Sequence, residues 1–453
     1  MNGVSYDEGV RQTYAADASG LVMRAEAVAR PSSAEEVVEL LRRASADRTP
    51  VTAAGGQTST TAASITDRGV LLSLRGLDRV LELDVTARTV WAEAGVPLGA
   101  LKRQMAEHGL LLPPDPTSEE ECTVGGAVAC NASGARTLRW GPTRVHVEAL
   151  RVALVSGEVV EVRRPRLEKN TVGYAPVHDP VDWFVGSEGT LGVVLAAQFR
   201  LVPRPATVLG LGLPFPDDAA ALRFVVAARE ARDVRPQCLE FFDREALAIF
   251  RAAGDEPGWA IGAGALVYAE EADAPDAALD AWLALAERHG ALTDDARAFE
   301  GEATLRQARR MRHAVPATMN ERGARQRPYG GRKVSTDWAV PYPRLAHVLA
   351  EARQLADAHG VPQAVAYGHA GNGHPHQNFV ARDAAEVAAI ERVVEETLRV
   401  VIAAGGTVAA EHGIGKLKRR WLPLQLSPLQ LGMQRAMKRE LDPHGLLAPG
   451  NIL

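Results

Sequence analysis

Three glycine-rich segments in the first half of the chain constrain its fold more than any other feature. They are Gly55-Gly56-Gln57-Thr58-Ser59, then Thr123-Val124-Gly125-Gly126-Ala127 running on to Asn131-Ala132-Ser133-Gly134, then Gly186-Ser187-Glu188-Gly189-Thr190-Leu191-Gly192. Glycine lets a loop turn its backbone N–H groups toward an anion, and neighbouring Ser or Thr hydroxyls add donors with little bulk. Neither G-x-G-x-x-G between a first strand and helix nor G-x-x-x-x-G-K-[ST] occurs, so simple Rossmann and P-loop readings lose support. Any one loop is as readily a structural turn. Three together, each with hydroxyls, point to a nucleotide whose pyrophosphate is wrapped by separate loops.

Strands and helices alternate around these loops. Ser33 caps a helix, Glu36 completes a capping box, and Val37, Leu40 and Leu41 supply the apolar stripe until near Ala46. Strands are expected at residues 51–54, 69–74, 88–95, 148–155, 158–162, 183–185 and 192–202, with a helix at 97–108. Pro203-Arg204-Pro205 closes this half. Beyond it, helices at 219–232 and 274–290 alternate with strands at 239–242 and 263–269, the pattern of helices packed on an antiparallel sheet. Ser427 and Pro428 open a last helix before a turn-rich tail. The fold class is α+β. A length of 453 residues, at roughly 150 per domain, suggests two or three domains, which we place at 1–204, 205–410 and 411–453.

Composition narrows the function classes. Lys and Arg number 51 against 56 Asp and Glu, a net charge of -5, so no basic excess exists to neutralise nucleic-acid phosphates. The 3 cysteines, Cys122, Cys130 and Cys238, lack the spacing of a disulfide framework or a structural zinc site and fit a reducing cytoplasm. The N-terminus shows no apolar signal core, and no run of 18 apolar residues follows, so membrane association is expected only peripherally, at the inner face.

The most chemical stretch is Val365-Ala366-Tyr367-Gly368-His369-Ala370-Gly371-Asn372-Gly373-His374-Pro375-His376-Gln377-Asn378. Two alternating runs flank a glycine turn, which predicts a hairpin with His369 opposite His376. Facing imidazoles repel when protonated or share a divalent metal when neutral, and an anionic third ligand completes such a site. Glu411-His412-Gly413 follows a short expected strand at 407–410. If that strand stays extended, Glu411 and His412 point in opposite directions, one toward a metal and one toward substrate. Structural, hydrogen-bonded histidines are the competing reading, and the residues leave the two about even. Arg309, Arg310 and Arg312, and later Arg332 and Lys333, concentrate positive charge in an acidic chain. Arginine binds carboxylates bidentately, so one of these is a credible substrate anchor, although Arg309 and Arg310 read rather as a solvated basic face.

Pro113-Pro114-Asp115-Pro116-Thr117-Ser118, Cys122-Thr123-Val124-Gly125-Gly126, Asn131-Ala132-Ser133-Gly134-Ala135-Arg136, Gly141-Pro142-Thr143-Arg144 and Phe184-Val185-Gly186-Ser187-Glu188-Gly189-Thr190-Leu191-Gly192 occur in that order. This series resembles the FAD-binding half of the vanillyl-alcohol oxidase and p-cresol methylhydroxylase superfamily. Within it, the chain resembles the FAD-linked D-lactate, D-2-hydroxyglutarate and glycolate dehydrogenases over nearly its whole length. The resemblance implies a two-subdomain FAD-binding domain of p-cresol methylhydroxylase type, a cap with an antiparallel sheet flanked by helices, and a C-terminal segment that returns to the FAD domain.

It further implies that Ala53, Ala54, Gly55, Gly56, Gln57, Thr58 and Ser59 form the first pyrophosphate loop. Pro114, Asp115, Thr117, Ser118, Thr123, Gly125, Gly126, Ala129, Ser133 and Gly134 would line the flavin, and Gly186, Glu188, Gly189 and Gly192 would close its far end. Thr58 stands where some members carry a flavin-linking histidine, so FAD is expected to be non-covalent. His369, His376 and Glu411 match divalent-metal ligands, zinc first, with manganese or iron as other candidates. His412 matches the catalytic base, Asn378 a substrate-contacting asparagine, and Arg312 and Lys333 the substrate-carboxylate contacts. His374 departs from the pattern, which has asparagine there. The implied reaction oxidises a small D-2-hydroxy acid to the 2-oxo acid, with the hydroxyl proton going to His412 and the C2 hydride to flavin N5. Electrons would leave to a quinone, a cytochrome or an electron-transfer flavoprotein, and a homodimer is compatible. A flavin-independent metal hydrolase and a non-catalytic flavin-binding subunit are the alternatives, and the superfamily's redox-neutral ether-lipid synthase branch is disfavoured.

Overall fold

The computed structural model describes residues 3–256 and 258–453, so the first two residues of the N-terminal stretch and Pro257 lie outside the described residues. Two compact units are present. The first comprises the chain through Gly134, Gly141–Arg204 and Glu411–Leu453; the second comprises Ala135–Trp140 and Pro205–Ala410.

In the first unit, β1 (Val4–Ser5), β2 (Ala27–Ala29), β3 (Val51–Ala54) and β4 (Val70–Ser73) form a sheet in the order β1-β2-β4-β3, with β2, β4 and β3 parallel. The chain continues through β5 (Val80–Asp84), β6 (Thr89–Glu93), β7 (Leu110–Leu111), β8 (Val147–Ala153), β9 (Val159–Arg163), β10 (Val193–Arg200) and β11 (Val202–Pro203). Five of these make an antiparallel sheet, β5-β6-β10-β8-β9, while β7 pairs with β11. The helix Ala34–Asp47 begins where Ser33 accepts the Glu36 N–H and buries Val37, Val38, Leu41 and Ala44. Leu40 is only half-buried, and the Glu36 carboxylate accepts from the Ser32 N–H at 2.7 Å instead of closing a box on Ser33.

The strand expected at 183–185 does not form. Asp179 caps a 3-10 turn, Pro180–Trp183, and proline at its first position favours helical dihedrals there. In the last segment, Ser427 and Gln430 form a full capping box on the helix Pro428–Leu441. The tail then runs parallel to β3: the Val51 N–H donates to the Leu446 carbonyl and the Ala448 N–H to the Val51 carbonyl, both at 2.8 Å.

The second unit is built on seven strands, β12 (Val208–Phe215), β13 (Pro236–Asp243), β14 (Ala265–Ala272), β15 (Arg297–Glu300), β16 (Gly330–Ser335), β17 (Val365–Gly368) and β18 (His376–Asp383). Their order is β15-β12-β14-β13-β17-β18-β16, and every pairing is antiparallel. Helices Asp218–Glu230, Arg244–Ala252, Ala278–Arg288, Gly301–Gln326, Leu345–Ala358 and Ala384–Ala403 accompany it. Phe242, Phe250, Trp259, Tyr268 and Phe299 share one apolar core, with Phe242 and Phe250 ring centroids 5.0 Å apart. Burial of such aromatics accounts for much of the unit's stability. No described helix is long and apolar enough to cross a membrane.

Candidate active site

Within the first unit the three glycine loops meet. A Cβ on Gly55 would lie 2.3 Å from Thr123 Oγ1, and one on Gly56 would lie 2.0 Å from the Glu121 carbonyl, so loop 55–59 seats against the second loop only as glycine. The Gly186 and Glu188 amides donate to the Val128 and Ala129 carbonyls at 3.0 and 2.9 Å, which attaches the third loop to the helix Val124–Cys130 capped by Thr123. Gly125, Gly134 and Gly192 are equally confined, against Ala94, Asp115 and Val152. Most of these glycines therefore serve loop-on-loop packing rather than exposure of N–H groups. Gly186 and Gly189 differ: both have positive φ, and a Cβ on either would make only ordinary contact, no nearer than 3.6 Å, so it is the backbone conformation and not crowding that calls for glycine there.

Other side chains in these loops are committed to the protein. Gln57, with φ 56, donates its amide to the Tyr14 carbonyl at 3.0 Å, and Ser59 pairs with Thr61. Ala53 and Ala54 end β3, while Pro114, Asp115, Thr117 and Ser118 lie on the irregular run before Cys122. Burial pushes the Cys122 thiol up to about 12, so it is a poor nucleophile for a covalent flavin link.

The Glu411–His412 segment departs from expectation. Residues 407–410 make one isolated bridge, Thr407 with Ala339, rather than a strand, and the chain bends after it. Glu411 and His412 therefore do not point apart: His412 Nε2 stands 3.6 Å from Glu411 Oε1. Their backbone is fixed inside the first unit. The Cys130 thiol donates to the Glu411 carbonyl and Thr61 Oγ1 to that of His412, at 3.3 and 3.4 Å. Glu188 accepts from the Ile414 and Gly415 amides at 2.6 and 2.8 Å; burial raises its carboxyl's pKa, and these amides only partly offset the effect. The Glu188 carboxylate thus holds the loop that carries His412.

In the second unit the hairpin forms, with a register one pair away from that expected. His376 opposes Tyr367 and Asn378 opposes Val365, while His369 lies just beyond β17 at the start of a 3-10 turn, Ala370–Asn372. Gly373, at φ 68, reverses the chain where a Cβ would strike the Val340 carbonyl at 1.9 Å. The turn gathers three imidazoles: ring centroids of His369, His374 and His376 are separated by 5.4, 5.2 and 4.6 Å. Their ligand nitrogens lie within 4.8 Å of one another, with His369 and His374 buried. Asn378 is buried and donates to the Tyr367 hydroxyl at 2.8 Å, while its carbonyl oxygen pairs with Ser335.

Two buried carboxylates organise the cations. Glu240 Oε1 is 2.7 Å from His369 Nδ1, and Oε2 accepts from Arg312 Nε at 2.7 Å. Burial alone would raise the Glu240 carboxyl, but His369 and Arg312 more than offset it and hold it well below the usual range. Glu270 takes both Arg136 bonds at 2.8 Å, the Tyr268 hydroxyl at 2.8 Å, Gln237 at 2.9 Å and Arg309 at 3.3 Å. Arg309 is thus a partner of a buried acid rather than part of a solvated face. Arg309 and Arg312, three residues apart, share one side of the helix Gly301–Gln326. Lys333, on β16, pairs with Asn320, and burial lowers its amine to about 8.

Glu240, Glu270 and Asp337 were not anticipated. The signal was present for the first: an acid within Leu239-Glu240-Phe241-Phe242 occupies a strand otherwise apolar and buried.

Comparison with known proteins adds an independent line. The FAD binding domain family matches residues 25–163, and the FAD linked oxidases, C-terminal domain family matches residues 204–452. A D-2-hydroxyglutarate dehydrogenase of Xanthomonas citri pv. viticola is 34% identical, covering 94% of this chain and 89% of that protein. A D-lactate dehydrogenase of Archaeoglobus fulgidus is 32% identical over 94% and 91%, and the glycolate oxidase subunit GlcD of Bacillus subtilis 30% over 94% and 88%. An alkyldihydroxyacetonephosphate synthase structure superposes with a TM-score of 0.75 at 18% identity, covering 99% of this chain and 82% of that one, a likeness of fold.

Proposed function

The chain belongs to the FAD-linked oxidases of hydroxy acids, and from that premise we propose that it oxidises a small D-2-hydroxy acid, of the lactate, glycolate or 2-hydroxyglutarate kind, to the 2-oxo acid. Membership sets aside the flavin-independent hydrolase, because the family is flavin-dependent and oxidative. One observation carries the substrate class: Glu240 joins Arg312 to His369, so a carboxylate-binding guanidinium is held beside an imidazole cluster suited to a divalent ion.

FAD, when bound, would supply the two-electron acceptor, and a divalent ion, zinc before manganese or iron, held by the imidazole cluster would supply polarisation of the 2-hydroxyl. The donor set fits such an ion, since three imidazoles converge and buried carboxylates stand behind two of them. His369 and His376 are the first ligands in this reading. Glu411 is the anionic ligand that the resemblance to the family implies. Arg312 and Lys333 bind the substrate carboxylate, Asn378 contacts the substrate, and His412 takes the hydroxyl proton. The buried Cys122 thiol supports non-covalent binding of the flavin. Electrons then pass to a quinone, a cytochrome or an electron-transfer flavoprotein.

Anaerobic mixing with a panel of D- and L-2-hydroxy acids, followed by bleaching of the flavin band, tests the reading. Reduction by D-2-hydroxy acids is expected. Bleaching only by alcohols lacking a carboxylate would overturn the substrate class.

A further inference from the structure

We propose that His374 is itself a ligand of the divalent ion, so that the hairpin presents three imidazoles, with buried carboxylates beside two of them. The inference rests on the metal reading above and goes beyond the pair His369 and His376.

Several features converge on His374. Its side chain is buried, and its ring centroid is nearer to that of His376, at 4.6 Å, than the His369 ring is, at 5.2 Å. Its position is built rather than incidental. The left-handed Gly373 turns the chain against Val340, the His374 N–H donates to the His369 carbonyl at 3.1 Å, and Pro375 restricts the backbone before β18. His374 Nε2 lies 3.1 Å from Asp337 Oδ1, and that carboxyl group is itself buried. A metal-ligating imidazole characteristically gives its second nitrogen to a carboxylate, which fixes the tautomer and aims the other lone pair. Glu240 does this for His369 through Nδ1 at 2.7 Å, and at His374 the buried Asp337 carboxylate stands within ion-pair distance of Nε2, at 3.1 Å, without the geometry of a hydrogen bond.

Spacing and charge agree. Two nitrogens bound tetrahedrally at about 2.1 Å from zinc stand roughly 3.4 Å apart, so ligand atoms already within 4.8 Å need only small side-chain rotations to close. The two buried carboxylates, Glu240 and Asp337, place negative charge beside two of the rings, which favours a dication between them. A third imidazole also biases selection toward zinc and away from manganese, which prefers oxygen donors.

The test uses the full-length FAD-bound protein, stripped of metal and titrated with zinc or manganese alone against a competing chelator. X-ray absorption at the zinc edge counts the imidazoles in the unmutated protein. Three imidazoles are expected, with His374→Asn lowering the count to two and weakening zinc about 10- to 100-fold, and manganese by less. Asp337→Asn is expected to weaken zinc by about 10-fold while keeping three imidazoles. Two imidazoles in the unmutated protein, with zinc affinity unchanged in His374→Asn, would overturn the role of His374 and leave the metal reading standing. No zinc or manganese binding by the unmutated protein would overturn both. The count on the unmutated protein decides even if a variant fails to fold.

Discussion

Replacing Glu270 with Gln removes the charge at the centre of a buried polar network in the second unit. The Glu270 side chain is fully buried and accepts from Arg136 twice, from Tyr268, from Gln237 and from Arg309. Burial raises such a carboxyl, yet the two arginines outweigh it and hold Glu270 at about 2 instead of 4.5. That difference corresponds to roughly 3 kcal/mol at neutral pH. Breaking one member of a buried ion pair costs about 3–5 kcal/mol by a separate route, so the two figures agree in size. Because the folded carboxyl is depressed, the contribution is complete above the unfolded value and is lost as pH falls toward about 2. Urea unfolding at fixed, saturating FAD is expected to show Glu270→Gln destabilised by about 3 kcal/mol at pH 7, with the gap narrowing to roughly 1.5 kcal/mol near pH 3. Changing Arg136 and Glu270 together to Met should recover most of the loss, since neither charge is then left buried alone. A single variant within about 0.5 kcal/mol of the parent at pH 7 would refute the reasoning.

Three further outcomes are expected. Lys333, lowered to about 8 by burial, loses its charge as pH rises through that value; KM for a hydroxy acid should climb above pH 8, and Lys333→Met should raise KM and flatten that rise. His412→Ala should keep the flavin spectrum while slowing anaerobic flavin reduction by about 10²–10⁴-fold, the range for a lost general base, and an unchanged rate would reject the assignment. Gly56→Ala puts a Cβ 2.0 Å from the Glu121 carbonyl and should destabilise the protein by about 1–3 kcal/mol, with weaker FAD retention measured by dialysis.

Periodicity and punctuation determined much of this protein. Ser33, Ser427 and Pro428 start helices where local hydrogen bonding dictates, and the largely apolar runs 147–153 and 193–200 become strands buried at nearly every position. The ordered loop motifs and the histidine hairpin were legible for the same reason, since turn chemistry and metal-ligand residue types are local. Residues 183–185 misled because an apolar triplet carries no period, and Asp179-Pro180 decided the outcome.

Partnership between distant residues was left to tertiary structure. The sequence offers Arg312 and Lys333 as anchors amid other basic residues, but only the fold sets Arg312 on Glu240, Arg309 on Glu270 and the half-buried Lys333 beside Asn320. It shows three histidines, but only the Gly373 turn and the antiparallel sheet bring Glu240 and Asp337 behind two of them. The physical reason is range. Caps, turns and periodicity act over a few residues, whereas the protonation and aim of a buried side chain depend on which charges the sheet order places against it.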